Sequence, residues 1–193
     1  NLQKEKKIAN VIGEEVHELK LPPNIPVRIM ASINSQQLST KVAKVIFKRF
    51  LEIYKGKEPR PQQVLNTPPE VLRAIGLSNA KVSYVHNVAR FCIEHKITDK
   101  KLLALSNEEI IELLVQIKGI GQWSVEMLLM FTLGREDVFA VDDLGIQQAM
   151  IQLSGIKTTE KKKLSERMKK ISESWSHYRT YACMYLWRCK DGE

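Results

Sequence analysis

The chain has 193 residues (22.2 kDa), and its hydrophobic share of 44% is enough for a buried core and too high for a disordered protein. Its net charge of +8 favours a polyanionic partner, above all nucleic acid. No apolar run approaches the ~20 residues that cross a bilayer. Three cysteines without a CxxC pair argue against a disulfide scaffold and exclude a four-cysteine iron–sulfur cluster.

Apolar residues at helical spacing predict helices joined by short loops. Leu21-Pro22-Pro23 ends the first helix, Thr67-Pro68-Pro69-Glu70 indicates a helix start with Thr67 as the cap, and Ser106-Asn107-Glu108-Glu109 is a capping box. Residues 56–61 are expected as a loop. In chain order the predicted helices cover about 8–19, 39–54, 69–75, 79–95, 107–116, 122–133, 144–153, 158–172 and 177–188. No stretch alternates as a strand would, so we expect an all-α protein of nine or ten helices.

The segment Leu113–Met130 carries the most information about function. One helix ends near Ile117, Gly119-Ile120-Gly121 forms a tight turn, and a second helix begins at once. The glycines permit close backbone approach, Ile120 can plug into the core, and the N–H groups at the start of the second helix can bind an anion. We therefore predict a hairpin that holds a DNA phosphate, with Lys118 beside it. An ordinary αα-hairpin with a glycine cap is the plainer alternative.

Here the chain resembles a known family, the DNA-3-methyladenine glycosylase II family of the helix-hairpin-helix DNA glycosylases. Besides the hairpin and the acidic segment Asp137–Asp143, three stretches carry the resemblance. They are Ile33–Ser39 (INSQQLS), Ile75–Ser78 with Lys81, and Trp175–Arg188. The resemblance extends from about Arg28 to Arg188.

The resemblance implies an all-α, two-lobed glycosylase fold. One lobe would comprise residues 67–135, with the hairpin at about 113–130, and the other would combine residues 1–66 with 136–193. Bacterial relatives carry an additional N-terminal β-rich domain, which we do not expect within these 193 residues.

Two adjacent carboxylates, Asp142 and Asp143, follow the hairpin. A carboxylate can stabilise a sugar with oxocarbenium character and orient the attacking water. The residues alone favour two helix-capping aspartates. The family pattern instead implies that Asp143 is catalytic and that Asp142 caps the following helix or serves as a secondary acid.

The resemblance also implies a pocket for a flat, cationic base, which aromatic faces attract. Trp123 and Trp187 match two pocket tryptophans of bacterial members, with Trp187 as the preferred stacking partner. Met127 stands where those members often carry a tyrosine. Core packing is the alternative role for both tryptophans.

Base flipping requires a side chain that fills the gap left in the duplex. The turn Leu77-Ser78-Asn79 corresponds to the wedge loop of the family, so Leu77 and Asn79 are the wedge candidates. Asn79 replaces an apolar residue of bacterial members. The alternative is that Ser78 and Asn79 only cap the next helix.

Glycosylases that also cut the backbone use a lysine two residues after the second hairpin glycine. Trp123 occupies that place, so we expect a monofunctional enzyme. Hairpins of relatives can hold Na⁺ or K⁺ on backbone carbonyls, here those of Val115, Ile117 and Ile120. No other cofactor is expected, and no side-chain metal site, because the four histidines lack zinc spacing.

Other polar features have less specific interpretations. Gln36 and Gln37 shape the pocket or are exposed, and Arg179 and Tyr181 fit the family pattern without a derived role. The basic run from Lys161 to Lys170 is expected as a solvated helix face, with added phosphate contacts as the alternative.

The function implied is excision of alkylated purines, 3-methyladenine and 7-methylguanine, from double-stranded DNA by a monomer, leaving an abasic site. Such a protein would act inside the cell with the DNA, in the cytoplasm and nucleoid of a prokaryote or the nucleus of a eukaryote. Two alternatives stay open: a glycosylase for deaminated or mismatched bases, and a catalytically idle module that binds damaged DNA. The paired aspartates argue against the idle module, because a carboxylate beside phosphates does not help binding.

Overall fold

The computed structural model describes residues 24–36, 38–158 and 160–191. Regular structure in these residues is helical throughout, without strands, which confirms the all-α prediction. The helices are α1 (Ile25–Ser35), α2 (Thr40–Ile53), α3 (Pro61–Leu65), α4 (Pro69–Ala74), α5 (Asn79–Glu94), α6 (Asp99–Leu103), α7 (Asn107–Leu114), α8 (Gln122–Phe131), α9 (Leu144–Ser154), α10 (Lys161–Ser172) and α11 (Arg179–Asp191), with a 3₁₀-helix at Glu173–Trp175. None of these helices is long and apolar enough to cross a membrane.

Eight predicted helices lie within three residues of their observed bounds. The predicted helix over 8–19 and its stop at Leu21-Pro22-Pro23 lie outside the described residues. Three observed helices were not predicted, so the expected number of nine or ten was too low: the described residues alone contain eleven α-helices. Two of the missed helices, α3 and α6, have five residues each, which is too short for a hydrophobic period to show.

Capping side chains fix several of these helix starts. Ser106 and Glu109 form the predicted capping box at α7, with each side chain bonded to the backbone N–H of the other residue. The prediction for Thr67 was wrong, since Pro68 is the N-cap of α4 and makes no side-chain bond there. Thr67 is buried, and its hydroxyl instead donates to the Gln63 carbonyl at 2.8 Å and shares a hydrogen bond with the Tyr54 hydroxyl.

The chain divides into two compact units, with the boundary between Leu128 and Leu129. In the first unit, of which the structure describes residues 24–36 and 38–128, α1 packs against α2 and α5, and α3 and α4 also pack against α5. Its core includes the fully buried side chains Val27, Met30, Ile33, Phe50, Val64, Leu72, Val85, Leu102, Ile110 and Leu114. Residues 24–66 thus group with the hairpin segment, which differs from the lobes drawn from the resemblance.

In the described part of the second unit, residues 129–158 and 160–191, α9 packs against α11 and α10 leads into the 3₁₀-helix. The core there includes Leu129, Met130, Ile146, Met150, Met168 and Cys183. All three cysteines are free, and burial raises the pKa of Cys92 in the first unit to about 12, so that thiol stays protonated and unreactive.

Candidate active site

Asp143 stands immediately before α9 and is its N-cap. Its Oδ1 accepts a hydrogen bond of 2.9 Å from the Ile146 N–H, which satisfies one of the orphan donors of the first turn. The positive end of the helix dipole favours a negative charge at this place. The expectation that Asp142 caps this helix was wrong, because the cap must directly precede the first helical residue, Leu144. Asp142 is exposed and pairs with Lys161 at 3.3 Å.

A second donor reaches the same carboxylate oxygen from α11. The indole Nε1 of Trp187 donates to Asp143 Oδ1 at 2.8 Å, and the indole ring stacks on Phe131 with 5.9 Å between ring centroids. Gly145 makes this approach possible, since a Cβ there would lie 3.0 Å from Trp187 Cδ1 and 3.1 Å from Asp143 Oδ1. Two donors from separate helical segments therefore fix the orientation of the Asp143 side chain.

The loop that leads to Asp143 is fastened to the start of α11 by an ion pair. Arg179 donates to both carboxylate oxygens of Asp137, from Nε at 2.6 Å and from Nη2 at 2.8 Å, and the Ser176 hydroxyl donates to the same group. The guanidinium beside Asp137 lowers the pKa of that carboxyl. Arg179 thus has a structural role that the sequence did not reveal.

Thr180 fastens the same loop by backbone contacts. Its hydroxyl donates to the Arg135 carbonyl at 2.6 Å and accepts from the Val138 N–H at 3.1 Å, and its own N–H donates to the Glu136 carbonyl. The Tyr181 hydroxyl donates to the Glu136 carboxylate at 2.8 Å. Because α11 carries both these contacts and Trp187, one helix positions the loop and the carboxylate that follows it.

The hairpin in the first unit has the predicted tight turn. Gly119 has φ of 106°, and a Cβ there would lie 2.2 Å from Cγ of Tyr84, so the Tyr84 ring lies directly against its backbone. Ile120 is 7% exposed, which confirms that it plugs into the core. Gly121 is exposed, a Cβ added there would meet no atom within 4 Å, and its carbonyl accepts the first bonds of α8. The surface at Gly121 and the exposed Lys118 is therefore open to a ligand.

Two side chains donate hydrogen bonds to the backbone of the hairpin, and a third supports one of them. Gln36 donates to the Gly119 carbonyl at 3.1 Å, and Asn87 donates to the Lys118 carbonyl at 3.3 Å. Lys81 holds Gln36 in turn, because its Nζ donates to the Gln36 carbonyl at 2.7 Å as well as to that of Asn34. Gln36 therefore has a supporting role, whereas its neighbour Gln37 lies outside the described residues.

The predicted pocket residues belong to different units. Trp123 and Met127 lie one turn apart on α8 within the first unit, with Trp123 45% exposed and Met127 partly buried. Asp143 and Trp187 belong to the second unit, where they are in direct contact. Trp123 is too exposed for an ordinary core tryptophan.

The wedge candidates differ in exposure. Leu77 is 4% exposed and belongs to the core, and a buried side chain cannot also fill a gap in DNA. Ser78 is the N-cap of α5, with its hydroxyl accepting from the Lys81 N–H, and Asn79 is exposed as the first residue of that helix. The wedge prediction therefore rests on Asn79.

Three residues near Asp143 were not found from the sequence. They are Phe131, which covers the Trp187 ring; Gly145, which admits the indole; and Leu144, which follows Asp143 and is 72% exposed. A glycine in the first turn of a helix was the only signal present, since Phe131 and Leu144 look like ordinary core positions. Among the described residues no group of His, Cys, Asp and Glu side chains could hold a metal ion.

The sequence and fold of this chain match known proteins. Residues 30–176 match the HhH-GPD superfamily of base excision DNA repair proteins. A relative named DNA-3-methyladenine glycosylase 1 from Schizosaccharomyces pombe is 36% identical over 186 residues, covering 95% of this chain and 80% of the relative.

Two solved structures are similar in fold and sequence. A 3-methyladenine DNA glycosylase of the same yeast, in complex with abasic DNA, superposes with a TM-score of 0.81 at 34% identity, covering 95% of this chain and 89% of that one. A DNA-3-methyladenine glycosidase from Bacillus halodurans gives a TM-score of 0.80 at 33% identity, covering 98% and 86%. The chain therefore belongs to the HhH-GPD superfamily of base excision DNA repair proteins.

Proposed function

We propose that this protein is a monofunctional DNA glycosylase that hydrolyses the N-glycosidic bond of alkylated purines, with 3-methyladenine and 7-methylguanine as the first substrates. The observation that carries the proposal is the Asp143 carboxylate, which Ile146 and Trp187 hold in one orientation at the start of α9. The names of the relatives supply the substrate class.

The chemistry requires little more than such a carboxylate. Alkylation at a ring nitrogen makes the base cationic, so it leaves readily and positive charge develops on the sugar. Asp143 stabilises this charge electrostatically and orients or deprotonates the attacking water. Water supplies the hydroxyl that replaces the base, and the free base and an abasic sugar are the products. No redox or organic cofactor takes part in this hydrolysis.

Aromatic side chains provide recognition of the base. A cationic, electron-poor ring is attracted to the face of a tryptophan, and Trp123 presents such a face at the surface of α8. Trp187 combines contact with Asp143 and an aromatic ring in one side chain. The thioether of Met127 gives a softer pocket wall than the tyrosine of bacterial members.

Duplex DNA is the proposed partner, and the hairpin holds its backbone. Backbone N–H groups at the start of α8 and the exposed Lys118 suit a phosphate, and the open surface at Gly121 lets the strand approach closely. The similar yeast enzyme was solved with abasic DNA. Binding through phosphates makes the affinity fall steeply with salt.

A monovalent cation at the hairpin fits the backbone present there. The Ile117 carbonyl accepts from the Ile120 N–H and keeps a second lone pair for an ion, whereas the carbonyls of Lys118 and Gly119 already bind side chains. Val115, Ile117 and Ile120 would hold the ion, which would support the turn beside the phosphate.

Base release from a panel of duplexes tests the proposal. Oligonucleotides carrying 3-methyladenine or 7-methylguanine are compared with ones carrying uracil, hypoxanthine or a mismatch, and released bases are identified by chromatography. The proposal expects release of the alkylated purines and no borohydride-trapped adduct, because Trp123 replaces the lysine of the lyase class. Release of only deaminated or mismatched bases would contradict the alkylated substrates and indicate a glycosylase for deaminated or mismatched bases. Binding without release from any duplex would indicate an idle module.

A further inference from the structure

The helix α10 carries much of the positive charge of the chain. Its twelve residues contain five lysines and one arginine against a single acid, Glu166, so the helix has a net charge of +5. Leu164, Met168 and Ser172 are buried and attach it to its unit, while all six basic side chains are exposed. The positive charge therefore lies on the solvent-exposed surface of α10, where the basic side chains form two groups on different sides of the helix.

One of these sides adjoins the candidate active site. A groove of about 510 Å³ is lined by Asp142, Lys161, Lys162, Ser165, Glu166 and Lys169. Asp142 directly precedes Asp143, and the Lys161 ammonium lies 3.3 Å from its carboxylate. The ion pair is exposed, with 82% of the lysine side chain accessible, so it adds little to stability and can rearrange around a ligand. We call Lys161, Lys162 and Lys169 the inner face.

The other side of α10 borders a groove of about 720 Å³. Its basic lining residues are Lys163, Arg167 and Lys170, and Asp142 does not line it. Both sides carry three cations and share Glu166. We call Lys163, Arg167 and Lys170 the outer face, which serves as a matched control.

We infer that the inner face is a second DNA-backbone contact, which binds phosphates of the strand whose nucleotide reaches Asp143. This inference rests on the proposed function. Each strand carries a phosphate every ~3.4 Å along the duplex axis, so a nucleotide at Asp143 brings phosphates beside the neighbouring Asp142. Lys161 neutralises the Asp142 carboxylate, which would otherwise repel them, and Lys162, Lys169 and the Ser165 hydroxyl supply donors along the groove.

The test compares two triple variants with the parent protein. The first is K161Q/K162Q/K169Q on the inner face, and the second is K163Q/R167Q/K170Q on the outer face. Affinity for a fluorescein-labelled duplex containing a tetrahydrofuran abasic analogue is measured at several KCl concentrations, and log K is plotted against log [KCl]. Thermal unfolding of each variant checks that it is folded.

The inner-face variant should bind the duplex roughly 10-fold more weakly at low salt. Its slope of log K against log [KCl] should be shallower by about 1–2, because each lost phosphate contact removes ~0.9 from the slope. The outer-face variant should keep the slope of the parent. Equal losses in both variants would overturn the inference, since they would reflect only the overall field of the helix. An inner-face variant with the slope of the parent would overturn it as well.

A double variant, K162Q/K169Q, retains the pair between Lys161 and Asp142 and should still lose about one unit of slope. Base release by the parent protein separates this inference from the proposed function. If the parent releases alkylated bases and the inner-face variant binds as the parent does, only the inference fails. If the parent neither releases bases nor binds DNA in a salt-dependent way, both fail.

Discussion

The Nε1 of Trp187 lies 2.8 Å from Oδ1 of Asp143, and this hydrogen bond joins α11 to the start of α9. The family resemblance implied that Trp187 stacks on the damaged base, and the structure gives it a further role as the donor that orients the carboxylate. Phe131 lies against its ring at 5.9 Å between centroids, and Gly145 leaves room for its edge. The Trp187 indole is thus constrained by contacts on its ring and at its nitrogen.

The substitution W187F separates these two tasks. Phenylalanine keeps an aromatic ring but lacks the N–H, so Asp143 loses the hydrogen bond from the indole. A hydrogen bond to a charged group contributes ~1.5–3 kcal/mol, which corresponds to a decrease of roughly 10- to 100-fold in the rate of base release. Single-turnover kinetics on 7-methylguanine DNA measures this rate, and DNA affinity should change little.

F131A is the matched control for W187F. It removes the ring that covers Trp187 and leaves the bond to Asp143 in place, so the rate of base release should fall less than in W187F. Full activity in W187F would contradict the orienting role and leave Trp187 with stacking alone.

The two hairpin glycines should respond differently to alanine. G119A places a Cβ in the Tyr84 ring at a φ of 106°, so we expect a loss of about 2–5 kcal/mol in the free energy of unfolding from backbone strain and overpacking. G121A meets no atom within 4 Å and should fold with the stability of the parent. If the strand approaches the backbone at Gly121, as proposed, the added methyl group still weakens DNA binding.

Urea unfolding and DNA titration on both glycine variants provide the measurement. A G121A protein that binds DNA as tightly as the parent would argue against close approach of a phosphate at this turn. A G119A protein of unchanged stability would contradict the described packing of Tyr84.

The pair between Arg179 and Asp137 makes stability depend on pH. The pKa of Asp137 is lowered in the folded protein by Arg179, so the pair stabilises the fold above the ordinary aspartate pKa of ~3.9 and the contribution is lost as the pH falls through the lowered value. R179Q should therefore lower the free energy of unfolding by about 1–3 kcal/mol at pH 7.

The difference in unfolding free energy between the parent and R179Q should decrease steadily once the pH falls below the ordinary aspartate pKa of ~3.9. Urea unfolding of parent and variant from pH 7 to pH 2, through the range in which a lowered aspartate pKa titrates, checks the sign. A difference that stays constant across this range would show that Arg179 acts through packing rather than through the Asp137 carboxylate.

The sequence predicted those parts of the fold that depend on local signals. Ser106 and Glu109 lie three residues apart and cap each other, so the start of α7 could be located. The two glycines around Ile120 likewise define the hairpin within a few residues. Helices as short as α3 and α6 contain too few residues for a period, and the cap of α4 was misplaced because Thr67 bonds to Tyr54 across a tertiary contact.

The candidate site depends on contacts that are distant in the chain. Asp143 and Trp187 are 44 residues apart, and neither composition nor spacing shows that they touch. Which of Asp142 and Asp143 is the cap depends on the exact residue at which α9 begins. Two adjacent aspartates are equally suitable caps, so the sequence does not decide between them. The family resemblance could assign Asp143 a catalytic role, but it could not predict that the same side chain also caps α9.

The proposed role of the Asp143 carboxylate in hydrolysis is tested most directly by comparing D143N and D143A with the parent protein. Asparagine keeps an oxygen that can accept from Ile146 and Trp187, whereas alanine loses the cap at a cost of ~1 kcal/mol in the free energy of unfolding. The measurement is release of 3-methyladenine and 7-methylguanine from methylated duplex DNA. We expect both variants to lose release by at least ~100-fold, D143N without loss of stability. Release by D143N at the rate of the parent would contradict the catalytic role of the Asp143 carboxylate.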